Sequence, residues 1–224
     1  MMKKNGFTLA EVLITLAIIG VVATMTLPAL MNNTAEQQYK TGLKKGINTL
    51  TEAANMNQAI DGFDYASITS ADTSDQEEQS LFGLLAKRTS VDFGKSGEGN
   101  LESHQGGDSG ESSNFAVFLR DGSAIMFDPE KTLISDADVK AIDNDGLVHG
   151  IAAIYDANGA KGPNILSNCK GDANGAEDDA GVEGEVLNNV CSPSNRVIKD
   201  QFGIRLRGGY AVPNGPAARW AYSN

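Results

Sequence analysis

Few residues in this chain have types and spacings suited to chemistry. The two histidines, His104 and His149, stand far apart. No G-x-S-x-G, H-E-x-x-H or P-loop pattern accompanies them, so neither has a nucleophile, metal partner or phosphate cradle at identifiable spacing. His104 falls in a stretch rich in Gly, Ser and acids, residues 94–114, which reads as a mobile surface loop with a solvated imidazole. His149 opens an apparent strand. No enzyme is expected.

Cys169 and Cys191 form no C-x-x-C pair and have no histidine at zinc-site spacing. In an exported domain they read as a disulfide closing a loop on the order of 20 residues, stabilising by ~3 kcal/mol. Otherwise they are two unrelated buried thiols. Between them runs Asp172-Ala173-Asn174-Gly175-Ala176-Glu177-Asp178-Asp179. Clustered oxygens are what Ca2+ requires, with Asp172, Asn174 and Asp178 as candidate ligands. An EF-hand is excluded, because Glu177 occupies the loop position that needs Gly and no helices flank it. The alternative is a solvated acidic loop. Asp156 and Asn158 read as turn residues rather than ligands. No other cofactor is implied. The formal net charge of −11 argues against direct nucleic-acid binding.

One further acid is out of place. From Phe7 to Leu30 only Glu11 is charged. The run of about 24 residues makes a helix of about 36 Å, enough to cross a bilayer. Lys3 and Lys4 before it direct the N-terminus to the cytoplasmic side. No A-x-A cleavage site follows, as a secretory signal would need. A plain signal anchor leaves Glu11 unexplained, since a carboxylate in lipid costs several kcal/mol unless it is paired.

The stretch Gly6-Phe7-Thr8-Leu9-Ala10-Glu11, followed by Val12-Leu13-Ile14, resembles the prepilin signal of type IV pilins and type II secretion pseudopilins. The resemblance implies cleavage between Gly6 and Phe7 by prepilin peptidase and N-methylation of Phe7. Losing Met1–Gly6 removes two lysines and takes the formal charge from −11 to −13. It also implies that Glu11 serves assembly by pairing with the amine of a neighbouring subunit's Phe7, which would select one filament register. Phe7's own amine, one helical turn away, is a partner for the free subunit. Pro28 then kinks the helix near Thr24, or else ends it. A weaker resemblance covers the D-x-N-G-x-K-G-P-N turn at 156–164 and Asp200-Gln201-Phe202. Here an insertion bearing both cysteines separates the two, and a disulfide-bracketed C-terminal region is a habit of type IV pilins. Calcium-binding C-terminal loops occur in major secretion pseudopilins.

These features require positioning elements. Tyr39, Leu43, Ile47, Leu50 and Ala54 make one apolar stripe of an amphipathic helix, with Gln37, Lys40, Lys44, Lys45 and Glu52 on its other faces. Gly42 and Gly46 mark where a sheet or another helix approaches. The helix fades near Asn57–Gly62, so that Phe7 to about Gln58 forms one helix of ~75 Å. Ser74-Asp75-Gln76-Glu77 reads as a capping box opening a short helix that runs to Thr89. "FAVFLRDGSAIMFD", residues 115–128, is a hairpin around Asp121-Gly122. Residues 149–159 give a third strand, and 200–215 one or two more that turn at Gly208-Gly209.

The expected fold is α+β and pilin-like, a long half-transmembrane helix packed on an antiparallel sheet of four to five strands. The expected organisation is a leader 1–6, a transmembrane and filament-core half-helix 7–30, an amphipathic half 31–58, and an exported domain 59–224 with the bracketed loop 169–191. The resemblance implies a structural subunit, a minor pilin or pseudopilin of a type IV pilus or type II secretion pseudopilus. The alternatives are a tip-located binding pilin and an anchored exported domain that never polymerises. Implied partners are other subunits, prepilin peptidase, the inner-membrane assembly platform and, before assembly, the lipid bilayer. The implied location is a single pass of the cytoplasmic membrane, N-terminus inside and domain in the periplasm or at the cell surface, then a periplasmic or extracellular filament.

Overall fold

The structure is a computed structural model that describes residues 8–75, 77–98, 115–133, 137–142, 148–169 and 196–224, with side chains at 27–32 and 138 not described. Its elements are α1 (Leu9–Ile60), α2 (Leu81–Arg88), β1 (Gly97–Glu98), β2 (Phe115–Phe118), β3 (Ala124–Phe127), α3 (Ala137–Lys140), β4 (Ile151–Asp156), β5 (Asn168–Cys169), β6 (Arg196–Val197), β7 (Gln201–Arg207), β8 (Tyr210–Pro213) and α4 (Pro216–Ser223). The chain divides into two compact units, Met1–Gln38 and Tyr39–Asn224, with α1 contributing to each.

In the second unit, β1-β2-β3-β4-β7-β8 form an antiparallel sheet, and β5 and β6 a separate pair. Together with α1 this is an α+β arrangement consistent with a pilin-like fold. Leu43, Ile47, Leu50 and Ala54 are buried against Val117, Ile125, Ala153, Tyr155, Phe202 and Ile204, with Tyr39 at the margin. The stripe therefore lies where its spacing places it. Gly42 and Gly46 stand where the sheet comes closest. A Cβ on Gly46 would lie 2.3 Å from the Tyr155 ring, and one on Gly42 2.8 Å from the Ala157 Cβ.

The hairpin forms as expected, Phe115 facing Phe127 and Phe118 facing Ala124. Its turn is held by Asp121, which accepts from the Ser123 amide and hydroxyl at 3.0 and 2.7 Å, and by Gly122 at φ +93°. Both faces of this hairpin are buried. Phe115, Val117, Ile125 and Phe127 face the main core, while Ala116, Phe118, Ala124 and Met126 form a second cluster. That explains the unbroken apolar runs, since a strand buried on both sides shows no alternation. The last two strands turn at Gly208-Gly209 as expected.

Edge strand β8 is closed by α1. The Ala211 amide donates to Thr51 Oγ1 at 3.1 Å, while the Asn214 amide bonds inward to the Gly203 carbonyl at 2.9 Å. Asn57, fully buried, donates to the Phe63 carbonyl at 3.0 Å, and Gly62 at φ +78° turns the chain away, ending α1.

Three expectations need correction. The short helix does not begin at Ser74; its N-cap is Ser80, whose hydroxyl accepts from the Gly83 amide at 2.9 Å. The cause is Gly83, where a Cβ would meet the Glu77 carbonyl oxygen at 1.8 Å, so the preceding chain folds over the first turn instead of joining it. Lys40, expected on a polar face away from the apolar stripe, is only 5% exposed. Residues 97–98 are strand, not loop, paired with Phe115 and Ala116. The rest of the expected loop, 99–114 with His104, lies outside the described residues. The C-terminal helix α4 has no counterpart in the sequence reading, although Gly215-Pro216 is a helix-start signal with Pro at the first position.

Candidate functional site

The chemistry-bearing part of α1 is its first turn. Thr8 caps the helix and Glu11 stands three residues on. The Glu11 carboxylate accepts from the Thr8 amide and hydroxyl, each at 2.9 Å, and the Thr8 hydroxyl accepts from the Glu11 amide at 3.3 Å. This is a capping box, in which side chains reciprocally satisfy amides that a helix start leaves without partners. The T-x-x-E spacing carries that signal in the sequence and was passed over there.

The following residues, Leu9–Thr26, form a helix long and apolar enough to cross a membrane. Leu13, Ile14, Leu16, Ile18, Ile19 and Val22 are all exposed. The polar side chains in this stretch turn inward on their own backbone. Thr15 donates to the Val12 carbonyl at 2.9 Å, Thr24 to Val21 at 2.8 Å and Thr26 to Val22 at 3.1 Å. A medium without water demands such internal satisfaction. Residues 1–27 match the family model described as the prokaryotic N-terminal methylation motif.

The N-terminal segment carries the prepilin-type signature. No match was found among curated proteins or among solved structures. The signature is that of precursors with a structural rather than a catalytic role, and with the exposed apolar helix it fits a membrane-anchored pilin.

Gly6 and Phe7 lie outside the described residues. The described partner of Glu11 is Thr8. The helix continues through Pro28, so the proline does not end it.

A second polar constellation organises the far end of the sheet. Asp156, buried at the end of β4, accepts from the amides of Asn158 and Gly159 at 3.0 and 2.8 Å, and from the Gln201 side chain at 3.0 Å. Asp200 accepts from the amides of Asn164 and Ile165 at 2.8 and 2.9 Å. Gly159, at φ +63°, passes so close to the hairpin turn that a Cβ would lie 2.5 Å from the Gly122 carbonyl oxygen. Gly162–Pro163 is cis and Asn164 has φ 50°. The D-x-N-G-x-K-G-P-N residues thus build a turn, as expected of Asp156 and Asn158, and Asp200 holds its far side. Burial pushes the Asp156 carboxyl up to about 6, opposed by Gln201 and the Asn158 amide and reinforced by Asp200. Asp200 was quoted in the sequence only as part of a motif, and nothing local marks it as the clamp of residues some 35 positions earlier.

Cys169 is buried on β5 and is not a free thiol. Cys191 and the candidate calcium ligands Asp172, Asn174 and Asp178 lie outside the described residues. Among the described residues, no group of three or more His, Cys, Asp or Glu is placed to hold a metal. His149 sits in backbone bonds, its amide donating to Ala141 and its carbonyl accepting from Arg207 Nε.

Proposed function

We propose that this chain is a structural subunit, a minor pilin or pseudopilin, anchored by its apolar helix and assembled through it after removal of Met1–Gly6. The observation that carries this reading is the methylation-motif match over residues 1–27. An apolar helix whose polar side chains bond within the segment supports it. In this reading the N-terminus faces the cytoplasm, the second unit is exported, and Cys169 pairs with Cys191 there. The partners are prepilin peptidase and other subunits of the filament.

Intact-mass measurement of the chain from membranes containing prepilin peptidase tests the processing step. The expected product begins at N-methylated Phe7, and a chain retaining Met1 overturns the reading. The role of Glu11 is tested by Glu11→Gln. Glutamine keeps the acceptor that the Thr8 amide needs and removes only the charge. Normal membrane insertion with at least tenfold less incorporation into filaments is expected. Wild-type incorporation would mean that the capping box alone accounts for Glu11.

A further inference from the structure

We propose that α4 is a clamp that holds the first turn of α1 in the second unit, with Trp220 as the gripping residue. Lys40 is the first buried residue of α1 among those whose burial is described, and it is a charged one. Its Nζ lies 3.9 Å from the centroid of the Trp220 ring. The Arg196 Cζ lies 3.2 Å from the same centroid. Both cations therefore approach the same indole ring. A cation over an indole is attracted by the ring's negative face, most strongly where water is excluded. The apolar stem of Lys40 packs while its head meets the ring, which makes a buried lysine tolerable at this position.

The clamp is itself held on two further sides. Ala218 and Ala221 enter the main core. Ala217 packs on Cys169, with Ile198 alongside. Arg196 faces Cys169 in the β5–β6 pair. One short helix therefore joins α1 to the base of the segment between Cys169 and Arg196. The Asn224 amide and side chain both bond the Trp220 carbonyl, at 3.1 and 3.0 Å, closing the last turn behind the ring. This arrangement operates in the folded second unit whether or not the chain polymerises.

Trp220 is the single tryptophan, so the clamp has its own optical reporter. Hydrogen exchange is measured on the full-length chain in detergent, comparing wild type, Trp220→Leu and Trp220→Phe. The leucine variant is expected to exchange at least tenfold faster over residues 40–46, with β4 and β7 unchanged. The phenylalanine variant, which keeps a ring, should fall between the two. Unchanged exchange over 40–46 overturns the proposal. So does an equal rise in β4 and β7, which would make Trp220 an ordinary core residue. Lys40→Met, retaining the apolar stem, gives an independent readout should the leucine variant not fold. Acrylamide quenching of Trp220 should rise about twofold, and unchanged quenching counts against the clamp.

Discussion

Asp156 shows how a residue that reads as a simple turn former carries a charge burden. Its carboxylate is needed as an acceptor for two amides and Gln201, yet it is buried near Asp200. The folded-state value of about 6 lies above the ordinary 3.8, so the folded chain binds more protons in between. Its stabilising contribution is full below about pH 4 and is lost as pH rises to about 6. A series of urea midpoints should show this as a difference from Asp156→Asn, the variant lacking the decline. Asp121 titrates in the opposite sense: burial raises its value, but Lys45 at 2.7 Å and Ser123 more than offset this, for a net lowering. Taking the difference between wild type and variant removes its contribution. A parallel pH dependence in both proteins would refute the assignment. The turn role of Asp156 is legible from D-x-N-G, because Asx turns are local. The fold of Asp200 over Asn164 and Ile165 is not, because it depends on how β7 returns to the sheet.

Elements with a repeating pattern were legible, and those defined by a single contact were not. The stripe on α1, the hairpin and the last two strands follow from periodicity and Gly-containing turns. The start of α2 did not, because Ser74 and Ser80 both make plausible caps and only the approach of Glu77 to Gly83 decides between them. Lys40 was misplaced because helical spacing locates a residue on a face without saying whether an aromatic ring waits there. Gly46 gives the element scale its test. Alanine in a helix interior gains about 1 kcal/mol over glycine. Here its Cβ would overlap the buried Tyr155 ring, and overpacking of a closed core costs about 1–3 kcal/mol. Gly46→Ala should lower stability by about 1 kcal/mol, read from chemical denaturation. Gly20→Ala, with nothing within 4 Å of the new Cβ, is the control that should lose nothing. A stabilised Gly46→Ala would mean that α1 and β4 do not pack as described.

At the scale of the whole molecule, the buried core begins at Lys40 and Leu43 among the described residues, within the unit Tyr39–Asn224. A chain starting at Thr34 is expected to be soluble without detergent and to unfold in one cooperative transition by circular dichroism. Thr34 and Gln37 have the spacing of a capping box for the new helix start. Insolubility or a gradual melt would show that the second unit depends on the apolar helix. The closure of β8 also bears on strand pairing between copies of the chain. Along that outer edge the backbone groups that point away from β7 belong to Ala211 and Pro213. Ala211 gives its hydrogen to Thr51, and proline has none to give. Such a border offers an arriving strand no donor to zip onto. In the assembly proposed above, copies lying side by side find no donors along this edge, which disfavours their joining there into a continuous ribbon.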